Sequence, residues 1–498
     1  MRERLKAAPS SNQEKYLGAN FLKVSNERSF YNMSRLNQAH TLMLYRQGII
    51  SRRDAQMILR SLIALEKKGN TALTLDPKYE DYYYNVEMYI INDIGINIGG
   101  KLHTARSRND LHSTILRMDI RDQLLNFFPQ LNALRNTLII KSEEYRNVVM
   151  TGYTHMQPAQ PITLGFYFAG VAEALERDFD RIYAAYQHLN YATLGAGAFA
   201  GTSFPIDRRF TAELLGFKGP IVNTLDAIAS RDYVLEIIAT LAILASTINR
   251  VAHDLYYWCT DEFRYIELDD SICVTSSIMP QKKNPAVLEY IKAKCSHLLA
   301  AFADAFCCMR GIPFAHSRDL GGETTHHLWD AFMEIEAMTV LTEEVLNKIK
   351  VNEKNMKARV NENFCTATEL ADELVREEHI SFRVAHEIVG QVVMKCVDAG
   401  LNCQGITSKK LDEAALNFAG RSFKWTKGHI DKVMDTTSSV ENRISEGSPR
   451  SEETEKLTKQ MSLKLDNDID AYNRLQTEVK ERYRILLDKV QDVLNSND

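Results

Sequence analysis

What this chain lacks narrows it first. It has no CxxC pair, no HExxH, no Walker-type phosphate loop and no GxGxxG, so zinc, P-loop and dinucleotide readings have no motif behind them. The eight cysteines are scattered apart from the adjacent Cys307 and Cys308, which reads as reduced, mostly core thiols with no metal site and no cofactor. The segment Gly195-Ala196-Gly197-Ala198-Phe199-Ala200-Gly201 is glycine-rich but follows no strand. Net charge is only −5 over 498 residues, which gives no nucleic-acid surface. No long apolar run follows the charged start Met1-Arg2-Glu3-Arg4-Leu5-Lys6, so we expect no export signal and a cytoplasmic protein. The most apolar stretch, Ile237 to Ile248, is bounded by Glu236 and Arg250; it is too short to span a bilayer and reads as a buried helix.

Proline is scarce too. There are 11, with none between Pro220 and Pro280 or between Pro313 and Pro449. Proline-free tracts with period-3.6 apolar spacing predict long helices. Leu131, Leu134, Leu138 and Ile139 share one helical face. Val234, Ile237, Ile238, Leu241 and Leu244 share another, on a helix apolar nearly all round, which belongs at a bundle centre or an oligomer interface. No sustained two-residue alternation bounded by hairpin turns is visible, so the expected fold class is all-α. Breaks at Gly95 to Gly100, Asn361 to Ala367 and Ser445 to Pro449 divide the chain. They give an N-terminal helical region (1–105), a central long-helix bundle (106–362), a small helical region (363–450) and an amphipathic extension (451–498) expected as one or two surface helices.

Three clusters carry chemistry. Thr104-Ala105-Arg106-Ser107-Arg108-Asn109-Asp110 is rich in donors, and an arginine fork with an orienting amide suits a carboxylate; by itself such a run is a solvated loop. In Thr151-Gly152-Tyr153-Thr154-His155-Met156-Gln157-Pro158-Ala159-Gln160-Pro161, His155 sits between a hydroxyl and an amide in a stretch stiffened by prolines. Histidine suits proton traffic near neutrality, although a lone histidine is more often structural. The third, Ser276-Ser277-Ile278-Met279-Pro280-Gln281-Lys282-Lys283-Asn284-Pro285, packs hydroxyls, ammonium and amide between helix-breaking prolines. It should be a mobile loop opening into a helix, able to grip a carboxylate and close over it. Glu289, about one turn into that helix, is placed to orient a histidine from elsewhere.

In this order the clusters resemble the three separated regions that build the active site of the aspartase/fumarase superfamily, and more finely its argininosuccinate lyase branch. Supporting stretches are Gly100-Lys101-Leu102-His103, Phe204-Pro205-Ile206-Asp207-Arg208, Gly311-Ile312-Pro313, Arg318-Asp319-Leu320 and Ala367 to Arg376. The resemblance implies an all-α, three-domain protomer and a homotetramer whose active sites each draw on three chains. It also implies a C–N lyase of amino-acid metabolism, by default arginine biosynthesis, acting on a small molecule with no nucleic acid or membrane involved. A C–N bond β to a carboxylate breaks after the adjacent carbon loses a proton, and the resulting aci-carboxylate needs preorganised donors. The resemblance assigns substrate binding to Ser107, Arg108, Asn109, Thr154, Gln157, Ser277, Met279, Lys282, Asn284, His316 and Arg318. It makes Ser276 the general base, and pairs His155 with Glu289. A serine hydroxyl needs activation by nearby donors in a closed site to serve as base.

The chain departs from the argininosuccinate lyase pattern at the amine half. Where the family has Tyr, Gln and Lys after the Pro313 position, this chain has His316, Gly321 and Thr324. Tyr83 stands where the family has His, and Ala105 where it has Gly. A site built to hydrogen-bond a group rejects ligands lacking it, so these changes point towards a relative cleaving another N-substituted aspartate, such as ethylenediaminedisuccinate lyase. A non-catalytic, crystallin-like structural tetramer is the competing reading of another class, and retention of Ser276, His155, Lys282 and Asn284 counts against it. Fumarate hydration and adenylosuccinate cleavage are disfavoured by the Ser107-Arg108-Asn109-Asp110 and Gln281-Lys282-Lys283-Asn284 spellings.

Overall fold

Several helices begin where a side chain accepts a first-turn N–H. The computed structural model describes residues 10–496; the charged start Met1-Arg2-Glu3-Arg4-Leu5-Lys6 lies outside the described residues. Helix α1 (Ala19–Arg46) packs on α2 (Arg52–Lys68) and α3 (Tyr82–Ile94). A capping box of Ser51 and Asp54 starts α2, and the Asp81 side chain caps α3 by accepting from the Tyr84 N–H. Helix α4 (Arg108–Glu144) opens with the Ser107/Asp110 capping box and runs 37 residues through an internal Pro129. Asp110 does more than cap. Its second oxygen accepts the backbone N–H groups of Gly195 and Gly197 at 2.8 and 2.9 Å. The glycine-rich segment therefore wraps a buried carboxylate, whose pKa burial pushes up to about 6. At Gly197, with φ +65°, a Cβ would sit 2.7 Å from the Gly201 carbonyl oxygen, so only glycine fits.

After α4 the chain forms a hairpin that the sequence reading did not expect. Strand β1 (Val149–Thr154) pairs antiparallel with β2 (Gln157–Thr163). Two residues, His155 and Met156, make the turn, and both have positive φ (54° and 58°), as a type I′ turn requires. Two features hid it. The turn lacks Asn-Gly, and β2 carries Pro158 and Pro161, tolerated because each strand of a two-stranded sheet is an edge. A bulge beside Gly152 shifts the register, where a Cβ would meet the Gln160 carbonyl oxygen at 2.8 Å.

Helices α5 (Leu164–Leu189) and α6 (Asp232–Trp258) follow, then two-residue strands β3 (Val274–Thr275) and β4 (Lys283–Asn284), α7 (Ala286–Met309) and α8 (Leu328–Lys348). Together with α4 these five helices share the main apolar core. The apolar stretch around Ile237 lies within a 27-residue helix, long and apolar enough by composition to cross a membrane, of whose most apolar window 50% is buried inside the chain. Tyr290, Leu299, Phe306 and Met333 remain exposed on α7 and α8. A separate small core, including Leu370, Leu374, Ile388, Val392 and Leu411, is built by α9 (Ala367–Glu378), α10 (Phe382–Asp398) and α11 (Ser408–Ala419).

The last helix, α12 (Ser451–Asn495), is one continuous element, and one face is far from superficial. Met461, Leu465, Leu475 and Val479 enter the main core, while Leu486 and Val490 enter the N-terminal one. Polar ties that composition does not reveal fasten it: buried Arg135 donates to buried Asp468 at 2.8 Å, and Arg121 donates to the Tyr483 hydroxyl at 2.7 Å. Removing one partner of a buried pair leaves the other charge uncompensated. Asp468→Ala is expected to cost about 3 kcal/mol in chemical denaturation. The exposed Asp180→Ala, which removes a surface ion pair with Lys464 of α12, should stay within about 0.5 kcal/mol; equal effects would refute the part that the buried pair plays in fastening α12.

Candidate active site

A cleft of about 320 Å³ opens where α1, the start of α3, the first turns of α4, the start of α6 and the segment after α7 converge. Arg108 and Asn109 of the first cluster line it together with His316 and Arg318. Arg108 donates to Asp81 at 2.9 Å, lies 3.3 Å from Glu80, and stacks over the Tyr84 ring. Burial works against the Asp81 carboxylate, but His112, the Tyr84 backbone and Arg108 together hold it below the usual range. Asn109 is oriented by donating to the Ala198 carbonyl at 3.2 Å, so the loop clamped by Asp110 also aims the amide. Ser107 is engaged as the cap of α4, accepting from the Asn109 N–H.

Several cleft residues escaped the sequence reading. Ser25, Arg28 and Ser29 come from α1, Asp119 from the fourth turn of α4, Arg231 from the residue before α6 and Trp329 from α8. None belongs to a compact motif; they sit turns apart on helices, and only packing gathers them. Arg28 lies over the Trp329 ring at 3.7 Å. Asp119 is buried, accepting from Ser29 Oγ at 2.6 Å and Asn32 Nδ2 at 2.8 Å. Burial outweighs those bonds and raises its pKa to about 7.

The amine-half departures sort themselves by position. His316 and Gly321 face the cleft, and a Cβ on Gly321 would come within 3.1 Å of His316 Cε1. The imidazole thus occupies the space a longer side chain at 321 would need. Burial, then Arg231, His112 and Arg108, lower the His316 pKa. Thr324 is buried, and its hydroxyl donates to the Leu320 carbonyl, so it is a helix-stabilising group outside the cleft lining. Tyr83 is likewise buried outside that lining, its hydroxyl bonded to His103 and Arg106. Ala105 adopts φ +62°, which accounts for the family's glycine there.

The other two clusters stand apart from this cleft within the chain. His155 is exposed at the hairpin tip, with Thr154 and Gln157 flanking it. Non-glycine residues in the left-handed region cost on the order of 1–3 kcal/mol and collect at functional positions. The third cluster is an exposed loop whose base is pinned by the β3–β4 ladder. Ser276 Oγ accepts the backbone N–H of Met279 at 3.0 Å and of Ile278 at 3.4 Å. Lys283 is bound to Glu267 and Asp270; Lys282 makes no ion pair among the described residues. Ser277 and Met279 are exposed beside it, and Asn284 closes the ladder opposite Val274. Glu289 lies one turn into α7, accepting from the Tyr256 hydroxyl, and makes no hydrogen bond with His155 among the described residues.

Comparison with known proteins decides the family. A family model described as "Lyase" matches residues 15–299, and one described as "Argininosuccinate lyase C-terminal" matches 364–441. Argininosuccinate lyase 1 of Shouchella clausii is 39% identical over 465 residues, covering 93% of both chains. The chain belongs to the argininosuccinate lyase branch of the aspartase/fumarase superfamily. Argininosuccinate lyase of Methanocaldococcus jannaschii is 37% identical, covering 92% of this chain and 91% of that one. Among solved structures, an EDDS lyase variant with bound fumarate superposes with a TM-score of 0.88 at 30% identity, covering 99% of this chain and 97% of the other. A class II fumarase from Schistosoma mansoni, at 16% identity and a TM-score of 0.67, shares the all-α fold.

The contact between positions 316 and 321 makes a prediction. Introducing the family's Gln at 321 alone forces His316 aside, whereas Gly321→Gln combined with His316→Tyr repacks both. A double-mutant cycle of denaturation free energies should show coupling of about 0.5–3 kcal/mol. Additivity would mean that the two positions do not share the space.

Proposed function

We propose that this protein is a carbon–nitrogen lyase that releases fumarate from an N-substituted L-aspartate by β-elimination and can add an amine to fumarate in reverse. The carrying observation is near-full-length membership of the argininosuccinate lyase branch with the fumarate-side residue set intact. Arg108 and Asn109 line a cleft open to further contributions. The hydroxyl-rich loop and the His155 hairpin are held outward at other places on the same chain, an arrangement suited to sites completed by neighbouring copies. The exposed apolar residues of α7 and α8 supply a surface for that association, and four copies joined through the central bundle is the proposed assembly. The proposed setting is the cytoplasm.

In this reading Arg108, Asn109, Ser277, Lys282 and Asn284 hold the succinyl carboxylates, with Ser107, Thr154, Gln157 and Met279 around them. Ser276 removes the proton from the carbon next to the C–N bond. Two backbone N–H groups already point at its oxygen, which favours the charged form of the hydroxyl. Closure of the loop excludes water and strengthens those donors. As the aci-carboxylate collapses, the C–N bond breaks, and His155, paired with Glu289 across chains, is placed to serve the departing nitrogen. His316 over Gly321 favours an amine half other than arginine, such as an aminocarboxylate of the ethylenediaminedisuccinate type.

Ser276→Ala removes only the base and should lower kcat by at least about 10²-fold while leaving assembly unchanged by size-exclusion chromatography. Near-normal kcat would overturn the assignment. Lys282→Ala should weaken fumarate as a product inhibitor by about tenfold, the worth of one charge-assisted bond, and an unchanged inhibition constant would remove Lys282 from carboxylate binding.

A further inference from the structure

The turn that feeds α4 is held from behind by one hydroxyl. Tyr83, in the first turn of α3, is fully buried. Its hydroxyl lies 2.9 Å from His103 Nδ1 and accepts from Arg106 Nη2 at 3.0 Å, so one side chain grips the chain on both sides of Thr104 and Ala105. The Arg106 guanidinium also stands over the Tyr83 ring, 4.8 Å from its centroid. Arg106 is 7% exposed, its Nε and Nη1 are buried without a partner, and among the described residues the Tyr83 hydroxyl is its one hydrogen-bond acceptor. Glu87, one turn further along α3, answers its charge through space. A buried guanidinium with so few acceptors depends heavily on each one.

Between the two gripped residues the backbone is strained. Ala105 takes φ +62°, in the left-handed region that a Cβ disfavours and glycine adopts freely. The Thr104 carbonyl is fixed as well. Burial and the charge of Arg106 keep the His40 pKa well below its usual value, and this neutral imidazole holds that carbonyl through Nε2 at 2.9 Å. The strained turn is thus clamped at His103, Thr104 and Arg106. It opens directly onto Ser107, the cap of α4, and onto Arg108 and Asn109, which line the cleft. Without the clamp a non-glycine residue at 105 gains by leaving the left-handed region, and the next residues to move are those that face the substrate.

We propose that Tyr83 is a positioning residue for the lyase reaction: by gripping His103 and Arg106 together it holds Ala105 in its left-handed turn and so sets Arg108 and Asn109 against the substrate carboxylate. The two departures from the family pattern, Tyr for His at 83 and Ala for Gly at 105, are then one change, a clamp around a turn that has lost its glycine. This rests on the lyase reading above and adds to it the device that aims its carboxylate donors.

The test is a double-mutant cycle in the full-length protein with Tyr83→Phe, which removes the hydroxyl and keeps the ring, and Ala105→Gly. Fumarate affinity is read by calorimetry. KM values for fumarate and for the amine are read in the addition direction, with whichever of arginine and ethylenediamine the parent adds faster. Tyr83→Phe should weaken fumarate binding and raise its KM about tenfold, the worth of one hydrogen bond to a charged group, with the amine KM within about twofold. Ala105→Gly alone should change neither by more than about twofold. In the Tyr83→Phe background it should restore fumarate affinity to within about threefold of the parent, because the two sites are coupled through one turn. An unchanged fumarate affinity in Tyr83→Phe, or a loss that Ala105→Gly does not reverse, overturns the inference and leaves the lyase reading standing. So does an equal rise in both KM values, because a merely structural tyrosine would loosen the whole cleft. Should Tyr83→Phe not fold, Tyr83→His with and without Ala105→Gly decides by the same rescue. If the parent adds neither amine to fumarate and releases none from argininosuccinate or ethylenediaminedisuccinate, the lyase reading falls and takes this inference with it.

Discussion

Charge withdrawn from water must be answered by the fold, and α4 is where this chain concentrates the demand. Asp110, Arg117, Asp119, Arg121 and Arg135 are all buried along it. Each draws a different part of the chain into place. Asp110 gathers the loop at Gly195 and Gly197, Asp119 takes Ser29 and Asn32 of α1, Arg121 holds the Leu215 and Gly216 carbonyls with Tyr483, and Arg135 takes Asp468. The apolar core supplies most of the stability, but it is non-directional. The polar ties on α4 set which loops and helices surround the cleft.

The same logic separates the scaffold from the chemistry. Asp110 is held deep and aims Asn109 through the Ala198 carbonyl, whereas Ser276 and His155 are carried on exposed segments with little packing around them. Firmly held donors combined with groups on exposed segments suit a reaction in which a carboxylate is first gripped and then enclosed. His316 and Gly321 show how the amine half can change without touching that apparatus, since neither residue contributes to the loop at Ser276 or the hairpin at His155.

Much of this was legible in the sequence. Long proline-free tracts with helical periodicity pointed to α6 and α8, the apolar face from Leu131 to Ile139 pointed to α4 despite its Pro129, and Pro285 marked the start of α7. The loop from Ser276 to Asn284 and the first cluster were readable because their residues are contiguous. The hairpin at Val149–Thr163 was missed because its turn residues, His155 and Met156, take a conformation usually given to Asn and Gly. Ser25, Arg28, Asp119, Arg231 and Trp329 were missed for another reason. Their nearness depends on helix packing, and no local spacing encodes it. The inner face of α12 was hidden likewise, since Arg135 and Asp468 are 333 residues apart.

Helix α12 also bears on how the protein is made. Gln56 donates to the carbonyls of Val493 and Ser496, so the N-terminal helices close against a segment translated hundreds of residues later. Until the ribosome delivers α12, the apolar rows of α2, α4 and α5 that it covers stand open, at the stage when long-range contacts are slowest to form and exposed surface most prone to stick. The order of synthesis therefore runs opposite to the order of closure, since the last helix described completes cores begun by the first ones.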